Sequence, residues 1–75
     1  MGDTMSFFPI MAASIANMVE IEARAVDLNN IGVDLANDGN FEEALEFFHQ
    51  AHNLIPEDPS IAENIQFCLD ALNGD

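Results

Sequence analysis

His49 and His52 lie three residues apart and Glu46 precedes His49 by three, a spacing that puts imidazole and carboxylate groups on neighbouring turns of a helix. A transition-metal site needs three or four converging ligands held by further hydrogen bonds. Here His52 falls toward the packing face and His49 toward water, so the pair reads as boundary and surface histidines. The carboxylates Asp34, Asp38, Glu42, Glu43 and Glu46 do not reproduce the alternating ligands around a central glycine that a calcium loop requires. Asp34 and Asp38 stand four apart on a solvated helical face, and no serine, cysteine or histidine cluster supplies a nucleophile with its base. No glycine-rich phosphate loop is present. Cys68 is the one cysteine, so no internal disulfide can form, and it reads as a small buried hydrophobe. These residues predict no catalytic group, no metal site and no cofactor, and hence no enzyme.

The composition narrows the partners. Fourteen acidic side chains stand against one basic one, Arg24, for a formal net charge of -13 in 75 residues. Such a chain cannot neutralise a phosphate backbone, which predicts no direct nucleic-acid binding and no attraction to an anionic membrane. Its field attracts basic proteins and cations. Hydrophobic residues make up 49% of the sequence, which is enough material for a core and unlike a charge-repelled disordered tail. The first residues carry Asp3 and no positive charge before the apolar stretch, unlike a secretory leader, which favours an intracellular setting without fixing the compartment.

The elements that position these side chains are helical. Val26, Leu28, Ile31, Leu35 and Ala36 recur near helical spacing and Asp38-Gly39-Asn40 follows as a stop and restart. Gly39 suits the left-handed position after a helix, while Asn40 with Glu43 has the spacing of a capping box. The next helix carries Phe41, Ala44, Leu45, Phe48, Ala51, His52 and Ile55 on its inward stripe and ends at Pro56. Asp58-Pro59 then opens a third helix, with Ile61, Ile65, Cys68, Leu69 and Leu72 on one side and Asn73-Gly74 at its close. No stretch alternates as a half-buried strand does. The prediction is an all-α fold: a helical hairpin with an N-terminal helical arm and a C-terminal amphipathic helix. Residues 1–19 form the apolar arm, helical from about residue 9, and residues 20–75 form the helical domain, with the terminal helix from about residue 59. No glycine or proline lies between Ile10 and Ile31, so one continuous helix through the arm to Asn37 is also open.

Residues 25–58 resemble one tetratricopeptide repeat (TPR), a 34-residue helix-turn-helix unit. Ile31 and Gly32 match the leucine-like residue and glycine of its first helix, Leu35 stands where tyrosine is frequent, and Leu28 where tryptophan often is. Gly39 and Phe41 match the turn glycine and aromatic, Ala44, Phe48 and Ala51 the small-large-small series, and Pro56 the closing proline. A small residue at Gly32 or Ala44 allows the paired helices to approach closely, and Phe48 fills the remaining space. Ile65 restarts the pattern on phase, but Gln66 stands where a small residue is expected, so residues 59–73 resemble the terminal helix that covers a last repeat.

The resemblance implies a ligand face formed by Val26, Asn29, Val33 and Asn37 of the first helix, with Glu63, Phe67 and Asp70 of the terminal helix. An extended peptide or helix with apolar anchors and basic flanks would suit that face. Phe67 and Val33 could instead bury against the chain's own N-terminal segment. The family members that clamp acidic chaperone tails would need lysine at Asn29 and asparagine at Val33; neither is present, and the charge would repel such a tail. In the arm, Phe7, Phe8, Met11 and Ile15 offer an adaptable apolar surface that docks in cis or in trans. The expected function is a non-enzymatic interaction or accessory assembly subunit with a protein partner of apolar and basic surface. The alternative is a small membrane-associated protein using the arm at an apolar interface, peripherally or within a membrane-protein complex. Self-association is left open.

Overall fold

The computed structural model describes residues 2–74, with side chains described from residue 17 onward. Three helices follow one another: α1 (Gly2–Asn37), α2 (Phe41–Leu54) and α3 (Pro59–Leu72). The described residues contain no strand, and the molecule is 62 Å long and 17 by 14 Å across. The arm and the first helix of the hairpin are thus one continuous helix that begins at Gly2, ahead of the start expected near residue 9. The change of composition after residue 19 is not a break in the backbone, because no glycine or proline interrupts the stretch that follows Ile10.

The turn between α1 and α2 is closed by backbone geometry. Gly39 adopts φ 84°, and its N–H donates to the Ala36 carbonyl at 3.0 Å while that of Asn40 donates to the Leu35 carbonyl at 2.8 Å. This pair of bonds is a Schellman closure, which satisfies carbonyls left open at the end of α1 and turns the chain back antiparallel. The capping box expected at Asn40 and Glu43 does not form: Asn40 makes no side-chain cap bond. Its N–H, the group that a returning Glu43 carboxylate would accept from, is already committed to Leu35. At α3 the expected cap is present, with the Asp58 carboxylate accepting from the Ser60 N–H at 2.8 Å and Pro59 in the first turn.

Two clusters form the core. One joins Ala25, Ala51 and Ile61, with Leu28, Leu54 and Ile55 packed against it; the other joins Ala44, Phe48 and Cys68, with Val33, Leu35 and Phe41 around it, and Ile65 touches both. Gly32 is where α1 admits the Phe48 ring. A β-carbon built there would lie 2.6 Å from Cε1 and 2.7 Å from Cδ1 of Phe48, closer than any side chain tolerates. Ile31, Leu69 and Leu72, apolar residues that recur at helical spacing in the sequence, are exposed. Three helices bury only the sides of each that meet a neighbour, and the outer sides of α1 and α3 meet none.

Candidate functional site

The hairpin runs α1 up and α2 down, so α3 returns parallel to α1, and the face between α1 and α3 holds the expected ligand residues. Asn64 Nδ2 donates to Asn29 Oδ1 at 3.0 Å across this face. Two clefts flank that bond. The first, about 70 Å³, is lined by Val26, Asn29, Ile55, Asp58 and Ile61 among others. The second, about 240 Å³, is lined by Val33, Ala36, Asn37, Phe48, Asn64 and Phe67. Both are smaller than the roughly 300–1,000 Å³ of a pocket for a drug-sized molecule, but each can take a single side chain.

Of the seven residues assigned to this face, the structure brings Val26 and Asn29 into the first cleft and Val33, Asn37 and Phe67 into the second. Val26 is 56% and Phe67 60% exposed, so both present apolar surface to water. The Phe67 ring also meets Phe41 edge-on, with centroids 6.0 Å apart and planes at 67°, which holds it upright at the end of the cleft. Val33 is half-buried and packs toward the Phe48 cluster, forming floor rather than rim. Asn29 is half-buried, and its Oδ1 accepts from Asn64 while its Nδ2 makes no bond to the described residues. Glu63 is exposed and lines neither cleft; the Asp70 carboxylate accepts from Gln66 Nε2 at 2.8 Å along α3 and also lies outside both. Phe7, Phe8, Met11 and Ile15 lie outside the residues whose side chains are described.

Asn64 is the face residue that sequence reasoning missed. The available signal was a polar side chain set between Ile61, Ile65 and Cys68, where half-burial demands a hydrogen-bond partner.

Elsewhere the chemistry-bearing residues stay apart. Cys68 is fully buried, and desolvation pushes its thiol above the ordinary value, favouring the unreactive protonated form. His49 is exposed and His52 half-buried, with Nδ1 of His52 buried and lacking a hydrogen-bond partner among the described residues. Among the described residues no three histidine, cysteine or acidic side chains converge to hold a metal ion, and no helix is long and apolar enough to cross a membrane. No protein-family model, curated protein or solved structure matches this chain.

Proposed function

We propose that this chain is a non-enzymatic protein-interaction or accessory assembly subunit, a TPR-like hairpin with a terminal helix that docks through its α1–α3 face and its N-terminal arm. The observation that carries the reading is the pair Val26 and Phe67, large apolar side chains more than half exposed beside two clefts of side-chain size. Apolar surface gathered at shallow clefts gains free energy when a partner covers it. The repeat-like reading draws support from Gly32, which permits close contact of α1 with Phe48, and from the 35-residue separation of the paired Asn29 and Asn64, close to one repeat length. With a net charge of -13, the partner of such a face is apolar at its anchors and basic around them.

The test compares the native mass of the complex in source extract with that of the isolated chain, for the unaltered protein, Phe67→Asp and Glu42→Gln. The reading expects a complex larger than the chain, lost with Phe67→Asp and kept with Glu42→Gln. A native mass equal to that of the isolated chain would sink it, as would flotation of the chain with protein-free liposomes.

A further inference from the structure

The face of α1 that α2 covers follows a strict register. Ala25, Leu28, Gly32 and Leu35 are spaced by three and four residues in alternation; Ala25 and Gly32 are buried and the other two half-buried. The same alternation continues toward the N-terminus through Ile21 and Met18, which lie past the end of α2 at Leu54. There the cover stops, and Ile21 is 40% and Met18 61% exposed. With Leu54 and Ile55 these two line an apolar notch of about 190 Å³, edged by the carboxylates of Glu22 and Glu57. In the sequence the spacing runs back further, through Ser14, Met11 and Phe7.

Alternation by three and four is the seam of two packed helices, and among the described residues α1 carries that seam two positions, Ile21 and Met18, past the end of the helix that covers it. We infer that the notch seats the end of a helix from a different, basic protein, laid along α1 in the line of α2, with apolar side chains on the seam and lysine or arginine beside Glu22 and Glu57. The inference rests on the interaction-subunit reading and adds a second face, a helical occupant and its charge. Charge selects that occupant over a second copy of this chain. A second copy would bring another net charge of -13, with one arginine, against the two glutamates of the notch. The carbonyl end of α2 adds partial negative charge at the same place.

The experiment titrates the full chain with a labelled amphipathic helical peptide of about 18 residues, leucines on its seam and lysines on its flanks, alongside a version with glutamates on the flanks. The lysine peptide is expected to bind and the glutamate peptide not. Met18→Asp, an exposed position, should weaken binding about tenfold or more, and the double change Glu22→Gln, Glu57→Gln should weaken it by a smaller factor, about fivefold. Glu42→Gln, an exposed change at the far end of α2, should leave it unchanged, and far-UV circular dichroism should be the same for every variant. Absence of binding, equal binding of the two peptides, or equal loss with Glu42→Gln would overturn the inference. So would a dimer of the isolated chain in sedimentation that Met18→Asp dissolves. If Phe67→Asp breaks the native complex while Met18→Asp leaves peptide binding intact, the α1–α3 reading survives and this one falls.

Discussion

Gly32 and Phe48 decide how closely the hairpin closes. The glycine was visible in the sequence as a small residue in a helix, where it costs about 1 kcal/mol relative to alanine in intrinsic propensity. That cost is offset by burial of a phenylalanine ring that reaches 1% exposure, in space that any β-carbon would occupy. Gly32→Ala is therefore expected to destabilise the fold by about 1–3 kcal/mol, because overpacking outweighs the propensity gain. Urea denaturation with circular dichroism detection measures it. An unchanged or raised midpoint would mean that the ring can move aside. Gly39 is required for a different reason, its left-handed backbone, since nothing lies within 4 Å of a β-carbon placed there.

At the level of elements, α3 shares both core clusters with α1, Ala25 with Ile61 in the first and Val33, Leu35 and Ala36 with Cys68 in the second, and adds the Asn29–Asn64 hydrogen bond. Its anchoring to α2 through Ile61, Ile65 and Cys68 was readable from the spacing of those residues. The tie to α1 was not, because it joins two asparagines 35 residues apart, and no local pattern selects which polar side chains will meet. Asn29→Ala and Asn64→Ala should each cost about 1 kcal/mol, the usual net worth of such a bond together with some penalty for the partner left behind. The double variant should cost less than the sum of the two. A double-mutant cycle by chemical denaturation tests this, and additive losses would show that the bond contributes nothing. The capping at Asn40 teaches the converse lesson. Its residue types suit a capping box, yet the Schellman closure takes the same N–H first.

For the whole molecule, one guanidinium stands among 14 carboxylates, so repulsion opposes the compact state. Raising sodium chloride from about 20 to 200 mM shortens the screening length from roughly 20 Å to below 10 Å, and the thermal midpoint should rise with it. Followed by circular dichroism, an unchanged midpoint would mean that the carboxylates are too far apart to matter, and a fall that charge interactions stabilise the fold on balance. The same charge biases partner choice, and it acts together with surfaces that three helices cannot cover. Met18, Val26 and Phe67 stand at the edges where one helix passes another, so each is more than half exposed.

The sequence by itself determined the helical class, the positions of the turns, the buried role of Cys68 and the electrostatic character, because periodicity, glycine and proline placement, and charge act locally or add up over the chain. Only the tertiary structure decided that Asn29 meets Asn64, that Phe48 rests on Gly32, and that the seam of α1 outruns α2. Those outcomes depend on how far helices distant in sequence approach and where the shorter one stops, and no local pattern encodes either distance.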